Sequence, residues 1–289
     1  MVTVTGFGSA TLVAGFAYAA GVTPLVYYNW ATALGTGDSA LRDTGKSIPW
    51  DTVAGNGTLL EVVASTGLDF PAGITRVLKV VGGWRADPAG AAAQNPRLNN
   101  ANNHIPNPAV GASIYYRWYI RMIERDSFTA DTLTHPIQDG TSGGASNWQF
   151  EVVNGVGSWT MRWNLSGNGI NSPFRYEVAG LSKNATYRIE AQLHRISDTT
   201  FNWHSWIYNS AGTQIAGDAD FDALSSSLTL ADNPALTFNS LTNLRGLQCG
   251  LNGISGGVEA DFPLDLYYQG GLAVAVERCG AYGNLVGES

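Results

Sequence analysis

Arg188, Glu190, Gln192 and His194 recur at every second position, and Asn202, His204, Trp206 and Tyr208 do the same eight residues later. A period of two places each set on one face of an extended strand. Together they supply what sugar chemistry uses. Flat rings on Trp206 and Tyr208 stack on pyranose faces, guanidinium forks hold carboxylate or sulfate, and the amide and imidazoles bond to hydroxyls. The intervening residues Tyr187, Ile189 and Leu193, with Phe201, Trp203 and Ile207, are apolar. A hairpin greasy on one side and polar on the other belongs to an antiparallel sandwich with one wet face.

The elements around this hairpin repeat the pattern. Residues 58–65 and 75–81 read as strands. Along 113–123, Tyr116, Trp118, Ile120 and Met122 share one face, while Tyr115, Arg117, Tyr119 and Arg121 share the other. Residues 148–153 and 159–164 form a second hairpin around Asn154-Gly155-Val156-Gly157. Residues 235–238, 247–252 and 264–276 supply closing strands, and 218–224 reads as a short helical turn. These elements predict an all-β, two-sheet antiparallel jelly roll spanning 27–289 as one domain. Residues 1–26, rich in Gly and Ala, read as an arm or edge strand. Residues 85–110 carry repeated Asn and Pro, a pattern expected to exclude helix and central strand and to form an interaction loop.

Composition narrows the function. Charged residues make up 13% of the 289, against a usual ~25%, so the surface is weakly charged. A net charge of −7 argues against a nucleic-acid partner, which needs a basic footprint. No run of apolar residues is long enough to span a bilayer. The stretch 12–20 ends in Ala-Tyr-Ala-Ala, but no Lys or Arg precedes Arg42, so a cleaved signal peptide is not expected. Cys249 and Cys279 lack metal-ligand spacing and are expected as two buried free thiols. Asp218, Asp220 and Asp222 have the spacing of calcium-loop oxygens, yet lack the following Gly and distal Glu. No metal or cofactor is expected.

The order of Ser113-Ile-Tyr-Tyr-Arg-Trp-Tyr-Ile-Arg, Trp148-Gln-Phe-Glu, Tyr187-Arg-Ile-Glu-Ala-Gln-Leu, Ile207-Tyr-Asn-Ser-Ala-Gly and Leu264-Asp-Leu-Tyr-Tyr resembles the concanavalin A-like lectin/glucanase superfamily, in its laminin-G-like and polysaccharide-lyase-like branches. The resemblance covers most of residues 27–285 and implies a fold rather than an activity. Retaining glucanases of this fold carry a Glu-x-Asp-x-Glu pattern, for which this chain offers only Asp261 and Asp265 around Phe-Pro-Leu. Gln192-Leu193-His194 matches the Gln-x-His of alginate-lyase-like sandwiches, and Arg188-Ile189-Glu190 resembles the start of their Arg-x-Glu-x-Arg. In that family the two motifs lie on different strands, whereas here they share one. The closing Tyr-x-Lys is absent, Tyr267-Tyr268-Gln269 having no lysine nearby. The lyase resemblance implies β-elimination, with His194 or Tyr208 as base and Arg188 and Gln192 neutralising a uronate carboxylate.

Two readings therefore stand. The first is a non-enzymatic structural or adhesive protein of an assembled particle, a phage capsid-decoration or tail-associated protein on a virion or extracellular surface. It would associate with itself or other subunits and could take a polysaccharide on Arg117, Tyr119, Arg162, Arg188, Glu190, Gln192, His194, His204, Trp206 and Tyr208. The alternative is a polysaccharide lyase. Cross-strand Arg–Glu pairing on a solvated sheet accounts for the same charges without any ligand.

Overall fold

Strong alternation of β-branched and aromatic residues with polar ones makes nearly every ordered element of this chain a strand. The computed structural model describes residues 3–4, 10–11, 21–46, 49–54, 60–82, 97–99, 105–106, 108–123, 130–132, 146–154, 157–167, 174–197, 200–217, 228–229, 248–250 and 265–288. In chain order the elements are β1 (Thr3–Val4), β2 (Ala10–Thr11), β3 (Val26–Tyr28), the short α1 (Asp38–Leu41), β4 (Thr52–Ala54), β5 (Leu60–Ala64) and β6 (Arg76–Gly82). Then come β7 (Arg97–Asn99), β8 (Ser113–Met122), β9 (Ala130–Thr132), β10 (Ser146–Asn154), β11 (Ser158–Gly167) and β12 (Phe174–Ser182). The chain continues through β13 (Thr186–Arg195), β14 (Thr200–Tyr208), β15 (Gln214–Gly217), β16 (Leu228–Thr229), β17 (Gln248–Gly250) and β18 (Asp265–Ala275).

A nine-stranded sheet runs β15-β14-β13-β8-β18-β6-β5, with β16 added on β14 and β3 on β18. A four-stranded sheet, β12-β11-β10-β9, and a three-stranded one, β17-β7-β4, complete the body. Every strand pairing within them is antiparallel. One core joins the sheets. Ile114, Tyr116, Trp118, Ile120 and Met122 of β8 are buried with Tyr187, Ile189, Ala191 and Leu193 of β13, and with Trp159, Met161 and Leu181 of the smaller sheet. Trp159 meets Tyr187 edge to face at 5.6 Å, and its indole donates to Ser182 O at 3.1 Å, so the buried N–H is satisfied. The all-β, two-sheet expectation is met.

One expectation changes. Residues 97–99, inside the Asn/Pro segment, form the middle strand of the three-stranded sheet, with Leu98 fully buried. Residues 174–182, which the sequence reading passed over, pair with β11 as β12. At the end of the segment read as an arm or edge strand, Val26 belongs to β3 and Val22 bridges Leu285 in parallel. Residues 218–224, with Asp218, Asp220 and Asp222, and residues 235–238 lie outside the described residues.

Candidate functional site

Strand register decides which polar residues share the outer face of the large sheet. On β13, Arg188 lies opposite Tyr208 and Tyr119, Glu190 opposite Trp206 and Arg117, and Gln192 opposite His204 and Tyr115. His194 lies opposite Asn202 and Ser113. Nine of the ten expected binding residues therefore occupy one grid on β8, β13 and β14. Arg162 does not, because β11 belongs to the four-stranded sheet, where it pairs with Glu151 and Glu177.

The middle of that grid is closed. The segment after β18, residues 276–288, folds back over the outer face and carries residues 21–25 with it. Val22 N–H donates to Asn284 O and Val286 N–H to Val22 O, each at 3.0 Å. Ala273, Ala275, Cys279 and Leu285 bury one small apolar cluster there with Val22, Tyr27 and Tyr115. Beneath it, Arg117 and Glu288 form an ion pair with both side chains at 0% exposure. Arg117 also donates Nε and Nη2 to Gly271 O at 3.2 Å and Nη1 to Ala281 O at 3.2 Å. Gly271 sits at a bulge of β18 with φ +57°, a left-handed backbone that glycine adopts without strain. Glu288 accepts further bonds from Gly283 N–H at 2.9 Å and Leu285 N–H at 3.3 Å.

Burial alone would disfavour the Arg117 charge, but the Glu288 hydrogen bonds and charge outweigh it and raise its pKa. Tyr119 is 4% exposed, and its hydroxyl accepts from Tyr282 N–H at 2.7 Å. Burial raises the Tyr119 pKa, although Arg117 opposes that shift. Arg117 and Tyr119 were expected on an open groove; the closing segment removes both from solvent. Sequence periodicity placed them on the correct face but carried no signal for what would cover it.

Beside the cover, Glu190 anchors a second cluster. Its carboxylate, 2% exposed, receives Nε of Arg278 at 2.8 Å, and Nε of Arg188 also lies 2.8 Å away, outside hydrogen-bond alignment. The guanidinium carbon of Arg188 lies 3.9 Å from the Tyr208 ring centroid, and that of Arg278 lies 4.0 Å from the Trp206 ring. Arg278 also donates Nη2 to the Tyr208 hydroxyl at 2.5 Å. Glu190 raises the Arg278 pKa against the opposing effect of burial. Trp206 faces outward as expected, yet it is 6% exposed under Arg278, so a sugar cannot stack where the guanidinium lies. The Arg–Glu pairing of Glu190 forms within β13 and from the segment after β18, not across strands; Arg117, which lies opposite Glu190, pairs with Glu288 instead. Arg278 was missed because it follows the last strand, where no periodicity marks a face.

The open part of the grid is the row of Ser113, Gln192, His194, His204 and Tyr208, all partly exposed. Gln192 Nε2 donates to Ser113 Oγ at 2.8 Å, and that oxygen lies 3.0 Å from His194 Nδ1. His204 stacks near Trp206, with centroids 6.1 Å apart and planes at 15°.

The residues suggested for elimination fall into two groups, Arg188 with Tyr208 and Gln192 with His194. His194 and Tyr208 are six register positions apart along the β13–β14 pair, roughly 20 Å at ~3.3 Å per residue. Arg188 is engaged by Glu190 and Tyr208 at the Tyr208 end. Among the described residues, no group of three or more His, Cys, Asp or Glu side chains is placed to hold a metal ion.

No family model and no curated protein matches the chain. Solved structures do share its fold. The PL-14 alginate lyase from Aplysia kurodai superposes with TM-score 0.52 at 10% identity, covering 88% of this chain and 100% of that one. An endo-β-1,4-glucuronan lyase from Trichoderma reesei gives 0.44 at 14% identity over 79% and 91% of the two chains. A carbohydrate esterase from a Shiga toxin-encoding bacteriophage gives 0.47 at 13% identity over 89% and 99%. At 10% identity the likeness to the Aplysia kurodai enzyme is one of fold alone, a two-sheet antiparallel β-sandwich.

Proposed function

We propose that this chain is a non-enzymatic, adhesive β-sandwich that binds polysaccharide along the open β13–β14 strip. The observation that carries the reading is the engagement of the face's charged and reactive groups. Arg117 and Arg188 each face a carboxylate within the protein, with 0% and 12% of their side chains exposed, and His194 stands far from Tyr208. Elimination needs a base, an acid and a carboxylate-neutralising group around one sugar. Binding needs only a shaped row of donors, acceptors and ring edges, and Ser113, Gln192, His194, His204 and Tyr208 supply one. The placement of polysaccharide lyases and a phage carbohydrate esterase among structures of this fold fits a carbohydrate ligand.

The setting we propose is the surface of an assembled particle, such as a virion. It rests on composition: with 13% charged residues and three lysines, the chain is poor in the residues that keep isolated sheet edges apart. The test of binding is a glycan array followed by titration of the best oligosaccharide against Gln192→Ala and His194→Ala. Loss of about tenfold in affinity with unchanged melting supports the strip as the site. Array silence, or variants that bind like the parent, sinks it. For the setting, size-exclusion chromatography of the full chain and of a form lacking residues 1–20 should show assembly weakened by the deletion.

A further inference from the structure

The geometry points to Arg278 as a built subsite for an acidic group, carboxylate or sulfate, on the bound polysaccharide. This inference rests on the glycan-binding reading and adds the charge class of the ligand. Three fixed partners hold the guanidinium. Its Nε donates to Glu190 at 2.8 Å, its Nη2 to the Tyr208 hydroxyl at 2.5 Å, and its guanidinium carbon lies 4.0 Å from the Trp206 ring centroid. Long charged side chains at a surface usually sample many rotamers, and ordering one costs entropy. Here that cost has been met in folding, so a ligand would find the fork already oriented.

The group is nonetheless accessible. Arg278 keeps 41% of its side chain exposed, whereas Arg188 keeps 12% and Glu190 2%. Guanidinium has five N–H groups. Two are spent on Glu190 and Tyr208, and the remaining three have no partner among the described residues. The local charge has the right sign. Glu190 supplies one negative charge against two positive ones from Arg188 and Arg278, leaving one positive charge in excess on a chain of net charge −7. His204 lies beside Trp206 and Gln192 opposite His204, so the fork adjoins the open row at its Trp206 side. An acidic sugar lying along that row would place its anion over Arg278 and its hydroxyls over Gln192 and His204. Arg117 cannot serve this role, being spent on Glu288 at 0% exposure.

The test titrates the full chain with three probes at matched ionic strength: an oligoglucuronate, a heparin-derived oligosaccharide and cellohexaose. Calorimetry reads affinity, and thermal melting controls for folding. We expect at least one acidic probe to bind about tenfold more tightly than the neutral one, and that preference to shrink with added salt. Arg278→Gln should bring the acidic probe down to the neutral level and leave cellohexaose binding no weaker. Arg278→Lys, which keeps the charge but loses the planar fork, should fall between them. The carboxylate and sulfate arms decide which anion the site prefers. Equal binding of acidic and neutral probes overturns the inference while the glycan reading stands, as does equal loss of both in Arg278→Gln. Binding of none of the three sinks both. Should Arg278→Gln melt early, the Lys variant and the salt dependence of the parent chain still decide the matter.

Discussion

Arg117 and Glu288 stand 171 residues apart in sequence and meet as an ion pair with no solvent exposure on either side chain. Arg117 is fixed by the central strand of the large sheet, and Glu288 by the segment that covers it. Their contact ties the two together at the middle of the outer face. Burying such charges is costly, so the pair is better understood as an anchor that selects one position for the segment than as a large net gain in stability.

Removing one member leaves the other charged and dry. Glu288→Gln should therefore destabilise the protein by about 3–5 kcal/mol in urea unfolding and release residues 276–288 to protease. Replacing both partners with apolar side chains, Arg117→Met with Glu288→Leu, should cost less than either single change. A single-variant loss no larger than that of an exposed salt bridge, below ~1 kcal/mol, would contradict the anchoring role.

The same cover gives a pH signature through Cys279. Burial is the main reason its thiol pKa rises from 9.0 to about 12, against the lowering effect of Arg117. The folded state thus keeps a proton that the unfolded chain releases near pH 9. The stability linked to this group is complete below pH 9 and declines as the pH climbs toward 12. Cys279→Ala should flatten that alkaline decline. At neutral pH the native thiol should react with a maleimide only as fast as the segment opens, and faster in Glu288→Gln. Immediate native labelling would argue against the cover.

Most of the frame was legible because period-two patterning is a local signal. Tyr116, Trp118 and Ile120 turn inward and Arg117 and Tyr119 outward, as alternation alone dictates. What alternation cannot encode is which strands become neighbours or what lies above a face. Arg162 carries the same pattern as Arg188 yet belongs to another sheet. Arg278 and Glu288 lie in a stretch rich in Gly, where the backbone turns with positive φ at Gly280, Gly283 and Gly287 and no face exists to read. Their importance comes from contacts across the whole chain, through Glu190 and Arg117. Leu98 shows the converse: one short apolar step amid Asn and Pro was enough for a buried strand once β4 and β17 flanked it.

The hairpin of β14 and β15 offers a test of the site's outer boundary. Gly217 lies opposite Trp206 with φ +102°, and an added Cβ would stand 2.0 Å from the Ser205 carbonyl oxygen. That obstacle is backbone and cannot swing aside. Gly217→Ala should destabilise the edge by several kcal/mol, of the order of 3, and shift the fluorescence of Trp206 as its strand moves. A fluorescence-silent, fully stable alanine variant would contradict the close approach of these strands.

The separation of His194 from Tyr208 leads to a prediction about chemistry. In β-elimination one group removes the proton beside a carboxylate while another protonates the leaving oxygen, and both must reach a single sugar ring. Six register positions, roughly 20 Å, exceed that reach several times over. Tyr115, opposite Gln192, is nearer to His194, but Arg117 beside it is paired with Glu288 and cannot neutralise a uronate. Incubation with alginate, glucuronan, heparin or chondroitin should therefore give no rise in the ultraviolet absorbance of an unsaturated uronate, across acid to alkaline pH. His194→Ala should change affinity for an oligosaccharide but no turnover. A rise that His194→Ala abolishes would mean that the closing segment moves aside in solution and frees Arg117. In that event Glu288→Gln, which loosens the segment, should make elimination faster, and an unchanged rate there would point to a base elsewhere on the sheet.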